Sequence, residues 1–216
     1  MTADPLTDDA AMEAALAHLR QGGVVAAPTE TFYGLLADAT NPQAISALIA
    51  LKPRDSLKGI GLILPSLSTW RETVTEVPDV AEALAEAFWP GPLTIALSPS
   101  ANVDSRLIQE QRIAVRLGSP SPAATLAARL GRPVTATSAN APGQPPTGLA
   151  TDVEAAFAEA IAQGALRVVP GSSPGGWPST VVTVSGEEVN IARLGAIPAQ
   201  AIEQAIAAWR NRPKRA

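Results

Sequence analysis

Thr180-Val181-Val182-Thr183-Val184-Ser185-Gly186-Glu187-Glu188-Val189-Asn190-Ile191-Ala192-Arg193 reads as two strands and the turn between them. Thr180–Val184 and Val189–Arg193 are the strand-like runs, and Ser185-Gly186-Glu187-Glu188 has hairpin-like spacing. At least part of the sheet is therefore expected to be antiparallel. Upstream, strands and helices alternate. A helix is expected over residues 8–21, stopped by Gly22-Gly23, followed by a strand at Val24–Ala27 that halts at Pro28. Asn41-Pro42 supplies an N-cap with proline at the first helical position, opening a helix to about Leu51. Gly59–Leu64, Leu93–Leu97, Ile113–Leu117, Val134–Thr137 and Leu166–Val169 read as short strands.

Between them, helices are expected from Asp79, with Glu82 in a capping-box-like start, to about Phe88, and from Ser121-Pro122 onward. Thr151-Asp152-Val153-Glu154 matches a capping box and opens a helix to about Gln163. A last helix covers Ala199–Trp209, and the basic tail from Arg210 to Ala216 is expected to fray. No linker, repeat or low-complexity block interrupts the alternation. The pattern favours one α/β domain built on a twisted mixed sheet.

Composition narrows the chemistry. The chain has 216 residues, 46% hydrophobic and 17% charged, enough for a substantial core. A net charge of -4 argues against a broad surface that coats nucleic acid, although a local basic groove is compatible with it. The absence of cysteine excludes disulfides, thiol nucleophiles and zinc-thiolate sites. The single histidine, His18, lies in a helix-like run and excludes a multi-histidine metal cluster. No stretch approaches the roughly 20 apolar residues of a membrane span. Met1-Thr2-Ala3-Asp4 lacks the features of a signal peptide, so a cytoplasmic protein is expected.

Four loop-like segments concentrate unusual polar groups near strand ends, where α/β sheets gather ligands. The first is Pro28-Thr29-Glu30-Thr31-Phe32-Tyr33-Gly34, with two hydroxyls, a carboxylate and the only tyrosine. These groups suit a small polar substrate, or equally a turn whose hydroxyls bond local backbone. The second is Lys52-Pro53-Arg54-Asp55-Ser56-Leu57-Lys58, which holds two of the three lysines. Three cations this close repel one another unless an anion or water shields them. It reads as a side-chain grip on phosphate or as a solvated basic loop, and it is not a Walker A loop. The third, Thr135 to Gly143, sets Ser138 and Asn140 two apart at a strand end, for a ligand or for a self-stabilised turn. The fourth is Pro178-Ser179-Thr180-Val181-Val182, preceded by Gly175-Gly176 and followed by Arg193-Leu194-Gly195. Arg116, closing an apolar strand, calls for a carboxylate or phosphate partner in the protein or in a ligand.

In this order, these segments resemble the YrdC-like family of threonylcarbamoyl-AMP synthases. The resemblance rests on Pro28–Gly34, Lys52-x-Arg54, Trp89-Pro90-Gly91-Pro92-Leu93-Thr94, Ala114-Val115-Arg116, Ser138-Ala139-Asn140, Pro178–Val181 and Arg193-Leu194-Gly195. It implies a twisted α/β, YrdC-like (dsRBD-like) fold with a concave basic cavity, as a single domain over residues 1–216. The core of that domain would cover about 8–197, with the C-terminal helix and tail at 198–216.

The implied reaction joins L-threonine, bicarbonate or CO2 and ATP into L-threonylcarbamoyladenylate, releasing pyrophosphate. The product feeds threonylcarbamoyladenosine formation in tRNA by a separate transferase machinery. The resemblance assigns catalysis to Lys52 and Arg54, and ATP binding to Lys52, Arg54, Lys58, Ser138, Asn140 and Arg193. It assigns threonine to Thr29, Thr31, Tyr33, Arg116 and Ser179. Mg2+ would accompany the nucleotide without a protein metal site of its own. Weak tRNA binding stays open, and the alternative is a non-synthase relative that binds nucleotide or RNA. Departures from the family pattern are Pro53 in place of glycine, Lys58-Gly59-Ile60 in the later stretch, and Phe32 where valine is usual. The chain also ends soon after Arg193, without the extra C-terminal domain of longer synthases.

Overall fold

The computed structural model describes residues 9–52 and 60–212. In chain order, α1 (Asp9–Arg20) leads into β1 (Val24–Pro28), β2 (Tyr33–Leu36), α2 (Pro42–Leu51), β3 (Gly61–Ile63), α3 (Leu67–Thr73) and α4 (Asp79–Phe88). β4 (Leu93–Leu97), β5 (Ile113–Arg116), α5 (Pro122–Leu130) and β6 (Val134–Ser138) follow. The chain then runs through α6 (Ala150–Ala156), α7 (Ala158–Ala162), β7 (Leu166–Val168), β8 (Thr180–Ser185), β9 (Glu188–Arg193) and α8 (Ala199–Arg210). Among the described residues no helix is long and apolar enough to cross a membrane.

Local chemistry sets the helix ends. Asn41 accepts hydrogen bonds from the backbone N–H of Gln43 and Ala44 with Pro42 at the first helical position, so α2 starts where the sequence predicts. Ser121 caps α5 in the same way through the Ala124 N–H, and Gly131 ends it at φ 71°. Two other starts differ from expectation. Pro78, not Asp79, is the N-cap of α4, and Glu82 pairs with Arg71 instead of closing a capping box. The helix expected from Thr151 begins one residue earlier, with no side-chain cap, and splits into α6 and α7 at Phe157 (φ -123°). Phe157 is 7% exposed. Its backbone serves as C-cap of α6 and N-cap of α7, and Thr147 bonds Asp152 and the Leu149 N–H where a cap would stand.

The nine strands form one sheet in the order β7-β1-β2-β6-β3-β5-β4-β8-β9. β1/β7, β3/β5 and β4/β8 are parallel and the other neighbours antiparallel, the expected β8–β9 hairpin included. Residues alternate between faces along each strand, so apolar side chains are needed on both. On one face Val24, Leu35, Leu62, Ile95, Val115 and Val182 join the larger core, with residues of α2, α4 and α8. On the other, Val25, Leu36, Ile63 and Val134 meet α1 and α5 in a second core.

α1 and α5 cover only part of that second face. Val134 and Ile63 are direct partners under α5, and the next pair along the strands is Ala136 and Gly61. From there the register runs Ala136–Gly61–Ala114–Ala96–Thr183 across β6, β3, β5, β4 and β8. All five residues line an open cleft of about 1180 Å³. Small side chains on one face of a twisted sheet leave room where larger ones would form core. The cleft is the uncovered stretch of an otherwise packed face.

Candidate functional site

Lys52 stands at the C-cap of α2, where the backbone leaves the helix at φ -136°. Its side chain is buried, with 3% of the residue exposed. The Nζ donates to Ser138 O at 2.7 Å, Ser138 Oγ at 3.3 Å and Asn140 Oδ1 at 3.0 Å. Three contacts match the three protons of the ammonium. Burial pushes the Lys52 pKa down, because desolvation penalises the charged form. Among the described residues no carboxylate lies within ion-pair distance of it. Lys52, Ser138 and Asn140 thus form one cluster at the end of β6. Arg54 and Lys58, expected to complete the cation cluster, lie outside the described residues.

Arg116 ends β5 on the same sheet face as Ala114. Its Nε lies 2.9 Å from Glu30 Oε1, with side chains 7% and 8% exposed. The approach is close but not directional: neither oxygen of Glu30 nor the Arg116 Nε has a hydrogen-bond partner. The two groups form a Coulombic pair, not a fork-to-fork bond. The Nη1 and Nη2 atoms have no partner among the described residues, and they are not sealed from solvent as Nε is. They are the part of this buried cation that reaches the cleft.

Beside it, Ser179 Oγ lies 2.9 Å from Thr94 Oγ1, both residues buried. Arg193 donates to Ser179 O through Nε at 3.2 Å and Nη2 at 2.9 Å, and to Ser179 Oγ at 3.1 Å. Burial, and after it the positive charge of Arg116, push the Arg193 pKa down. Gly195 permits this arrangement. A Cβ there would meet Pro178 O at 2.1 Å and Ser179 O at 2.7 Å, both backbone atoms unable to swing away. Gly195→Ala is expected to displace the 178–180 strand entry and to cost about 1–3 kcal/mol, as overpacking does. Thermal unfolding together with ligand affinity checks this, and a variant unchanged in both would contradict it.

The turn after β1 is stitched from both sides. Thr29 Oγ1 donates to Phe32 O at 2.7 Å and lies 3.1 Å from Thr31 Oγ1. The Thr29 N–H donates to Ser173 Oγ, and the Gly175 N–H to Thr31 O. Thr29 is therefore spent on the turn, whereas the Thr31 hydroxyl retains bonding capacity at the cleft wall. Tyr33 is fully buried, its hydroxyl 2.9 Å from both Val169 O and Gly171 O. Burial, and then the charge of Glu154, raise its pKa well above the phenol range. The Tyr33 side chain is packed into the larger core and holds the start of β2 in place, so neither its ring nor its hydroxyl is free for a ligand.

The site residues thus fall into two groups. Lys52, Ser138 and Asn140 sit at one end, and Arg116, Ser179 and Arg193 at the other, with Thr31 in the turn whose Glu30 reaches Arg116. Arg193, grouped with Ser138 and Asn140 in the sequence reading, stands on β9, five positions from β6 in the sheet. Several lining residues were not anticipated. Gly61, Ala114 and Ala136 carry no polar signal, and their shared face appears only once the register is known. Glu30 was visible as a carboxylate, but nothing local tied it to Arg116. Arg112 lines the cleft and donates to Val184 O at 2.7 Å and Ser185 Oγ at 2.8 Å. The turn before it holds Glu110 and Gln111 at φ 48° and 59°, a left-handed pair that L-residues adopt at a cost of about 1–2 kcal/mol each.

Residues 17–195 match the Sua5/YciO/YrdC family model, described as telomere recombination. The chain belongs to the Sua5/YciO/YrdC family. It is 34% identical over 200 residues to the threonylcarbamoyl-AMP synthase of Pyrococcus abyssi, covering 90% of this chain and 57% of that protein. It is 35% identical over 161 residues to the threonylcarbamoyl-AMP synthase of Chromohalobacter salexigens, covering 74% of this chain and 84% of the relative. The crystal structure of P. abyssi Sua5 complexed with L-threonine superposes with a TM-score of 0.80 at 31% identity, over 90% of this chain and 57% of that one. The chain spans little more than half the length of the P. abyssi protein. The membership implied by the motifs, and the mixed α/β fold with its twisted sheet, are borne out.

Proposed function

We propose that this chain is a threonylcarbamoyl-AMP synthase, condensing L-threonine, bicarbonate or CO2 and ATP into L-threonylcarbamoyladenylate and pyrophosphate. The observation that carries the reading is the Arg116 end of the cleft. A buried guanidinium there offers two Nη atoms with no partner among the described residues, beside the Ser179–Thr94 hydroxyl pair. That set fits the carboxylate and polar side chain of a small amino acid. A family relative of the same fold binds L-threonine. Lys52, Arg112, Arg116 and Arg193 against Glu110 leave an excess of positive charge on the lining, which supports a polyanionic co-substrate.

The chemistry needs positioning more than proton shuttling. The nitrogen of threonine takes up CO2, and an oxygen of the resulting carbamate attacks the α-phosphorus of ATP. One O–P bond forms and the bond to pyrophosphate breaks. Arg116 holds the α-carboxylate, with Ser179 and Thr31 at the side chain, the Thr29 turn shaping the wall and buried Tyr33 fixing that turn from beneath. Lys52, with Arg54 and Lys58 of the neighbouring segment, neutralises the phosphates as charge moves onto the leaving group. Ser138 and Asn140 hold the adenylate, and Arg193 faces the reacting centre from the threonine end. Among the described residues no group of three acidic or histidine side chains could hold a metal ion. Mg2+ would accompany the triphosphate and help to neutralise its charge. The product would pass to a separate tRNA-modifying transferase.

The deciding experiment is pyrophosphate release from ATP and bicarbonate, with L-threonine, with L-serine and with neither. Threonine-dependent release is the expected result. ATP binding with no release under any condition would sink the synthase reading and favour a nucleotide- or RNA-binding role.

A further inference from the structure

The pairing of Glu30 with Arg116 has an unusual form. Two buried opposite charges normally recover their desolvation cost through aligned hydrogen bonds, and here they make none. Glu30 is therefore a poor clamp for orienting the guanidinium. What it does contribute is a negative charge, 2.9 Å from Arg116 and sealed from water. Its place is shaped for it: a Cβ on Gly118 would lie 3.3 Å from Glu30 Oε2, tighter than ordinary contact. The other charge near Arg116 is Arg193, whose pKa the Arg116 charge lowers. Among the described residues, this end of the cleft holds two cations and one anion, a net charge of one.

We infer that Glu30 is a specificity-determining residue that limits the Arg116 end of the cleft to singly charged anions such as an α-carboxylate, and keeps phosphate-like dianions out. Two arginines alone would make a good phosphate site. A buried carboxylate behind them leaves one net positive charge. Attraction to it doubles for a dianion, but the cost of drying the ion rises with the square of its charge, so that single charge offsets the cost for a monoanion and not for a dianion. Discrimination by a built-in repulsive group is a general device of specific sites. Its use here is to keep triphosphate and pyrophosphate at the Lys52 end, so that the amino acid and the nucleotide do not compete for the same arginines. The inference rests on the reading of Arg116 as the carboxylate-binding group.

The test uses calorimetric binding of L-threonine to the full chain without nucleotide, in the presence of sodium acetate or sodium sulfate at matched ionic strength. Acetate is expected to displace threonine at concentrations where sulfate does not. Glu30→Gln, close in shape and uncharged, is expected to reverse that order, with sulfate competing at least tenfold more strongly. Adding Arg116→Met to Glu30→Gln should abolish the gain. Sulfate outcompeting acetate on the unaltered chain overturns the inference without requiring any variant to fold. An unchanged order of the two anions in folded Glu30→Gln overturns it as well. If threonine fails to bind, or binds Arg116→Met as tightly as the unaltered chain, the underlying assignment of Arg116 falls and the inference with it.

Discussion

Arg116→Met is expected to weaken L-threonine binding at least 100-fold while leaving ATP affinity within threefold. Each charge-assisted hydrogen bond contributes about 1.5–3 kcal/mol, and the two Nη atoms that reach the cleft can give a carboxylate two of them. The loss of about 3 kcal/mol corresponds to the stated factor. The substitution also strands Glu30 as a buried carboxylate, for which about 3–5 kcal/mol of destabilisation is usual. Arg116→Met combined with Glu30→Gln removes that penalty and should recover stability without recovering threonine. Arg116→Lys keeps the charge but not the planar fork, and an intermediate loss is expected. Calorimetry with each ligand separately, alongside thermal unfolding, distinguishes these effects. A folded Arg116→Met that binds threonine normally would remove Arg116 from the site.

Lys52→Ala should lower turnover at least tenfold, equivalent to about 1.4 kcal/mol of barrier, with the fold retained. Two effects act in the same direction. The nucleotide's phosphates lose a cation held in a poorly solvated position, where charge acts more strongly than in bulk water. Ser138 O, Ser138 Oγ and Asn140 Oδ1 lose their shared donor, so the segment after β6 loses the group that ties it to α2. The second effect predicts a rise in the ATP KM as well as a fall in kcat, because Ser138 and Asn140 shift together. Steady-state pyrophosphate release over a range of ATP concentrations measures both. Unaltered kinetics in a folded Lys52→Ala would dissociate this cluster from catalysis.

The parts of the structure that were legible in sequence are those set by near neighbours. Asn41-Pro42 and Ser121-Pro122 open their helices as read, and the hairpin at 180–193 pairs as expected. β2 and α3 went unseen. Tyr33-Gly34-Leu35-Leu36 is short, is buried on both faces and contains a glycine, so no alternation marks it. Leu67–Thr73 is a seven-residue helix whose Ser66 hydroxyl caps no backbone N–H and bonds the Ser68 and Thr69 hydroxyls instead. Long-range pairing was beyond local reading in principle. The neighbours of β6 are β2 and β3, and the small-residue row that opens the cleft exists only in that register. The same holds for Glu30, 86 positions from Arg116 in the chain. The motifs themselves carried the family, because they are short polar segments whose order survives without knowledge of what they touch.

The sheet also works as a ruler. From β6, which carries Ser138, to β8, beside Ser179, there are four strand spacings through β3, β5 and β4, about 19 Å at the usual interval. Hydrogen bonding fixes that interval across the strands and the register fixes the offset along them, so the gap between the two polar ends cannot be tuned by fractions of a strand. Evolution or engineering can alter what each end grips, and can raise the floor by enlarging Gly61, Ala114 or Ala136. The reach between the ends is inherited with the fold.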